Sequence, residues 1–271
     1  MLKFSFYDAD FKSSFLIEGI LKEKLTGIVV ENSLKNEEIR IFKNCVEQLK
    51  ERFFHDLNTG NGFSLPGMFG QLHKTQPKHL IESYFENIEP FCSAVNLVCG
   101  FNVQQRLTQL LRLYFQPHTA AVLPGFLPYS FRVVYPKKGG LFVHKDGQLL
   151  PFIHNEVSEV ICRYVQPETM MSWYFTLQDP DEGGELWVAD TLYDDYVKEG
   201  QFAMVNSQGE RIEVDAMQHI KVKPPTGSLL MFKGGSYWHK VVPPADNAEN
   251  RITFGGFMAL GLDEQYVYYW S

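Results

Sequence analysis

Cysteine is scarce: the chain of 271 residues has four, Cys45, Cys92, Cys99 and Cys162. None forms a C-x-x-C pair and most sit among apolar neighbours. That spacing argues against a disulfide framework and for buried free thiols in a reducing cytoplasm. Long apolar runs are missing as well. The opening MLKFSFYDADFKSSF carries acidic residues where a signal peptide has an apolar core, and no stretch approaches the length of a membrane span. The expectation is a cytoplasmic protein with no membrane partner. An excess of positive charge is absent too. The formal net charge is −7, which argues against a general electrostatic grip on nucleic acid. No internal repeat, low-complexity segment or linker divides the chain, so residues 1–271 are expected to form one domain.

Apolar material is plentiful, at 45% hydrophobic and 14% aromatic residues, enough for a substantial core. Helical spacing dominates residues 1–116. A short β-branched run at Ile28–Val30 reads as a strand at a sheet margin, and Ser33 or Asn36 as a helix cap. Residues 37–57 place Ile39, Phe42, Cys45, Val46, Leu49 and Phe53 on one helical face. Residues 77–99 and 103–115 read the same way. Between them, residues 58–70 (NTGNGFSLPGMFG) form an apolar Gly/Asn/Pro loop, a candidate lid or an ordinary packed loop. From residue 117 the character changes. Short β-rich runs (FRVVY, LFVHKD, EVICRYV, MMSWYFTLQ, GELWVAD, HIKVK, SLLMF, RITFGGFMAL) alternate with the turn signals PKKGG, DPDEGG, PPTG, KGGS and PADN. This pitch predicts a mainly β fold with some α: a double-stranded β-helix, the cupin-like jelly roll, over residues 117–271, buttressed by the N-terminal helices.

Within that half, SFRVVYPKKGGLFVHKD reads as strand, turn and strand, ending at His144 and Asp146. Residues two apart on a strand share a face, so imidazole and carboxylate project together. His239 follows SLLMFKGGSYW far downstream. Two histidines and one carboxylate on one side of a metal are the facial triad of non-haem Fe(II) oxygenases, whose open positions take a 2-oxo acid and O2. A lone H-x-D is common by chance, and His144 alone reads as a structural or surface histidine. Other features shift the balance. Arg251 opens the next strand, where a buried guanidinium needs an anion. The distal carboxylate of 2-oxoglutarate is a bidentate partner for it, and a structural carboxylate is the alternative. Thr253 lies on the same face, and Tyr135, in the strand before the H-x-D, is a further candidate for 2-oxo acid contact. His55, His73, His79, His118, His154 and His219 lack a carboxylate at strand spacing. They read as surface or core residues.

The order HKD, DEGGEL, GSLLMF then His239, and R-x-T at Arg251 and Thr253 resembles the 2-oxoglutarate/Fe(II)-dependent oxygenases. Within them the chain is similar to the free-standing halogenases of hapalindole and welwitindolinone alkaloid pathways, most densely in GSLLMFKGGSYWH, RITFGGFMAL and YYWS. Those halogenases have glycine where this chain has Asp146, which opens a ligand position to halide. The resemblance and this departure together imply a hydroxylase on the halogenase scaffold. It would use Fe(II), 2-oxoglutarate and O2, hydroxylate an unactivated C–H bond of a small molecule (a natural product or amino-acid-like compound), and release succinate and CO2. Ser172 aligns with a serine near the halogenase metal. Ser172, Phe142 and Phe152 are the candidate substrate contacts. The rivals are a peptide or protein side-chain hydroxylase, a desaturase or epimerase of the same cofactor chemistry, and a jelly roll that binds a small ligand without turnover.

Overall fold

The computed structural model describes residues 2–8, 16–22, 24–57, 60–67, 72, 78–137, 140–147, 150, 153–189, 194–198, 201–205, 211–212 and 218–271. The order is β1 (Phe4–Asp8), α1 (Leu16–Leu21), β2 (Gly27–Glu31), α2 (Asn36–Phe53), β3 (His55–Asp56), β4 (Gly62–Leu65), α3 (Lys78–Cys99), α4 (Val103–Phe115), β5 (Thr119–Val122), β6 (Ser130–Val134) and β7 (Leu141–His144). Then come α5 (Asn155–Tyr164), β8 (Met171–Gln178), β9 (Leu186–Ala189), β10 (Asp194–Lys198), β11 (Gln201–Val205), β12 (Arg211–Ile212), β13 (His219–Val222), β14 (Leu229–Phe232), β15 (His239–Val241), β16 (Arg251–Leu260) and β17 (Tyr266–Trp270).

Among the described residues, a ten-stranded sheet runs β1-β2-β14-β8-β16-β6-β4-β3, with β17 and β5 attached beside β16. A four-stranded sheet, β13-β9-β15-β7, lies opposite. Strand alternation sends the side chains of the large sheet two ways. One set (Phe131, Trp173, Phe175, Met231, Phe254) joins the core formed with α2, α3 and α4. Phe42 of α2 stacks on Phe254 with centroids 5.0 Å apart. Burying such a side chain contributes roughly 2 kcal/mol. The other set (Val29, Leu230, Phe232) meets Leu186, Val188, Val222 and Val241 of the small sheet. This is the jelly roll that the strand spacing predicts, with helices covering one sheet from outside.

The helices follow their apolar spacing. The predicted face of α2 (Ile39, Phe42, Cys45, Val46, Leu49, Phe53) is buried as a set. Its cap differs from expectation: Lys35 is the N-cap residue, and its N–H donates to Glu38 Oε2 at 3.0 Å. Ser33 instead donates to the Val30 carbonyl at 2.8 Å.

Other expectations are corrected. The described part of the candidate lid, residues 60–67, contains β4, which pairs with β6 in the large sheet and buries Phe63 and Leu65. It forms part of the wall; the other residues of 58–70 lie outside the described set. Residues 159–164 of the run EVICRYV belong to helix α5, whose Val157 and Ile161, four apart, both turn to the core, while Val165 bridges to Gly261. Residues 1–116 are less helical than their spacing suggests, since β1 to β4 all join the large sheet. Strands β10, β11 and β12 form a separate three-stranded sheet that no sequence feature announced.

Candidate metal centre

His144 ends β7 and His239 begins β15, and the two residues are direct cross-strand partners. Pairing brings their rings together, with centroids 4.4 Å apart. Asp146 sits in the turn just past β7, where its N–H donates to the Gly234 carbonyl at 2.9 Å. Its carboxylate spans both imidazoles: Oδ1 is 3.5 Å from His144 Nε2, and Oδ2 is 3.6 Å from His239 Nε2. One ligand atom from each residue lies within 4.8 Å of the others. Asp146 and His239 are buried and His144 is half-buried.

The surroundings hold these groups in ligating form. His239 Nδ1 lies 2.9 Å from the Tyr237 carbonyl. An N–H donated there leaves Nε2 as the lone-pair nitrogen. Burial pushes the His239 imidazole down to about 4, against the pull of Asp146, so the ring is neutral at pH 7. Burial alone would raise Asp146. His239, His144 and a hydrogen bond from Ser172 outweigh it and hold the carboxyl well below its usual range. Ser172 Oγ donates to Asp146 Oδ2. Gly234 makes room for that contact: a Cβ there would overlap both Ser172 Oγ and Asp146 Oδ2.

Farther along the same wall, the register lines up Ser64, Arg132, Thr253 and Thr176 across β4, β6, β16 and β8. Arg251 is two residues from Thr253 and on its face, with its guanidinium 4.8 Å over the Tyr174 ring. Burial pushes Arg132 down to about 10, with Asp146 raising it and Arg251 lowering it further, so it feels both charges. The hydroxyls of Ser64 and Thr176 are buried with no hydrogen-bond partner. Two neighbouring cations and unpartnered buried hydroxyls make a cradle for a small dicarboxylate. Two imidazole nitrogens and a carboxylate suit Fe(II).

Residues 7–271 match the sequence profile of a family described as carrier-protein-independent halogenase WelO5. The chain belongs to this halogenase family. It is therefore a 2-oxoglutarate-dependent non-haem iron enzyme that uses Fe(II), 2-oxoglutarate and O2. No curated protein is similar enough in sequence to match. Among solved structures, the chain is similar to an N-substituted L-amino acid dioxygenase from Burkholderia ambifaria AMMD: 16% identity, TM-score 0.55, covering 94% of this chain and 91% of that one. The same dioxygenase in complex with 2-oxoglutarate gives 16% identity and a TM-score of 0.56, over 93% and 89% of the chains. At this identity the likeness shows the fold.

Against the halogenase family pattern, the structure brings His144, Asp146, His239, Ser172, Arg251 and Thr253 to one interior wall and its facing strands. Tyr135 is a correction. Arg132 and Val134 face the interior, so alternation turns Tyr135 outward, where its ring lies 5.9 Å from Phe63 and packs on the helical core. Phe152 lies outside the described residues, as does the side chain of Phe142. Arg132 is the site residue that sequence reasoning missed. Its signal was a lone charge in the β-run SFRVV, on the strand leading into the H-x-D hairpin.

Proposed function

We propose that this protein is a hydroxylase-type member of the halogenase family, acting on a C–H bond of a small molecule. The observation that supports this most directly is the Asp146 carboxylate, which stands between both imidazoles where the family's halogenases keep a glycine. With His144, Asp146 and His239 all available as ligands, no protein position would be left vacant for a halide.

The Nε2 atoms of His144 and His239 and a carboxylate oxygen of Asp146 would hold Fe(II). Arg251, with Thr253 beside it, would take the far carboxylate of 2-oxoglutarate. Arg132 adds a second positive charge close to Asp146 and Arg251, so two arginines answer a dianion. Bound iron and 2-oxoglutarate supply oxidation by O2, with the co-substrate decarboxylated to succinate and CO2 and the substrate carbon hydroxylated. The chain's own part is to position and to exclude water. Apolar side chains of both sheets close the interior beside the site, so charges there act in a poorly screened medium. Ser172 fixes the Asp146 carboxylate, and the Tyr237 carbonyl fixes the tautomer of His239.

The test is anaerobic titration of metal-free protein with Fe(II) and 2-oxoglutarate, following the visible metal-to-ligand charge-transfer band. A saturable band is expected. It should be lost in His239→Ala and should need at least about tenfold more 2-oxoglutarate in Arg251→Met. In air, with a substrate found by its perturbation of the band, hydroxylated product is expected, and Asp146→Ala should abolish it. A chlorinated product from the unaltered protein in chloride would overturn the hydroxylase reading.

A further inference from the structure

Outside the metal centre, the helical layer holds a second reactive cluster. Cys45 projects from the buried face of α2, and Cys99 is the last residue of α3. Their sulfurs are 3.3 Å apart, across a sequence separation of 54 residues. Both are free and buried. A disulfide needs its sulfurs at about 2.05 Å. The two sulfurs therefore need to approach by on the order of 1 Å for the bond to close. Cys92 is half-buried toward Tyr129, and Cys162 is exposed on α5.

We propose that Cys45 and Cys99 are a redox-active dithiol, which hydrogen peroxide converts to a disulfide stapling α2 to α3. Cys99, at 8% exposure against 0% for Cys45, is the more accessible residue of the pair. The sulfurs share a hydrogen bond in which either can donate. The less deeply buried Cys99 is therefore assigned as the nucleophile and Cys45 as the resolving group. In the first step Cys99 sulfur attacks a peroxide oxygen. The O–O bond breaks, Cys99 becomes a sulfenic acid, and its thiol proton leaves with the departing hydroxide as water. In the second step Cys45 sulfur attacks Cys99 sulfur, the S–O bond breaks, and hydroxide leaves as water with the Cys45 proton. Two thiols lose two electrons and two protons, and one peroxide becomes two waters.

The staple has a structural target. The loop it closes contains β3 and β4, and β4 sets Ser64 beside Arg132 on the site wall. Cross-linking the helices that flank this segment restricts its unfolding from outside, without touching the metal residues.

The experiment uses the metal-free full chain carrying Cys162→Ser, treated with a small excess of hydrogen peroxide and then alkylated under denaturing conditions. Free thiols should fall from three to one, that is, from four cysteines less the one replaced. Peptide mapping should show a Cys45–Cys99 link, and Tm should rise by roughly 5–10 °C, reversed by dithiothreitol. Adding Cys45→Ala should stop the link and leave a dimedone-trappable sulfenic acid on Cys99. Adding Cys99→Ser should abolish both the link and the Tm rise. A link through Cys92, full retention of three thiols, or a Cys45–Cys99 link with unchanged Tm would each overturn the proposal.

Discussion

Ser172 Oγ donates to Asp146 Oδ2, the oxygen that also lies 3.6 Å from His239 Nε2. A carboxylate can turn either oxygen toward a metal. A hydroxyl bound to one of them restricts that choice and leaves a preorganised ligand. Contacts of this outer kind are worth about 10- to 100-fold in metal affinity or activity. Ser172→Ala should fold normally and lose about tenfold in Fe(II) affinity, measured by anaerobic titration; unchanged affinity would remove Ser172 from the positioning role. Legibility at this scale followed strand arithmetic. His144, Asp146, Arg251 and Thr253 were visible because residues two apart share a face. Tyr135 was proposed only from its place in the strand before the H-x-D, without asking which face it takes, and Arg132 went unnoticed. From sequence, a charge within a β-run does not show which face is interior. Only pairing of β6 with β16 decides that, by setting Arg132 opposite Thr253.

Elements carry the site through their ends. Helix α2 begins where Glu38 accepts the Lys35 N–H at 3.0 Å and, with its other oxygen, Arg106 Nε of α4 at 2.8 Å. Burial would raise the Glu38 carboxyl, but Arg106 and the Lys35 amide together hold it below its ordinary value. A carboxyl depressed in the folded state stabilises fully above its unfolded value of about 4.3, and that contribution is lost as pH falls through the folded value. Glu38→Gln should cost about 1 kcal/mol at pH 7, read from urea unfolding. The difference from the parent should shrink below about pH 4. A gap that persists at low pH would mean the charge is not what matters. The misreading of EVICRYV belongs to this scale. Its β-branched content favours strand, yet Val157 and Ile161 fit one helical face, and only packing on the core chose between the two patterns.

For the whole molecule, the proposed metal and co-substrate site lies between the two sheets, on strands far apart in sequence. Ligands that bind only the folded chain stabilise it by mass action, about 2.7 kcal/mol at one hundred times Kd. Adding 2-oxoglutarate to anaerobic Fe(II)-loaded protein should therefore raise Tm by roughly 5–10 °C. Arg251→Met should lose the increment due to 2-oxoglutarate and keep that due to metal; losing neither would separate Arg251 from the co-substrate. Among the described residues no helix is long and apolar enough to cross a membrane. Sequence alone determined which groups were on offer, an imidazole and a carboxylate two residues apart on one strand and a guanidinium and a hydroxyl two apart on another. It also determined the helices with one-sided apolar spacing and the turn-punctuated β half, since those patterns are local. Tertiary structure decided what meets: His144 against His239 through β7 and β15, Ser172 against Asp146 across the interior, Arg132 beside Arg251, and β4 in the wall. These are pairings between segments distant in the chain. Their register depends on which faces bury the most apolar surface together, which no local pattern encodes.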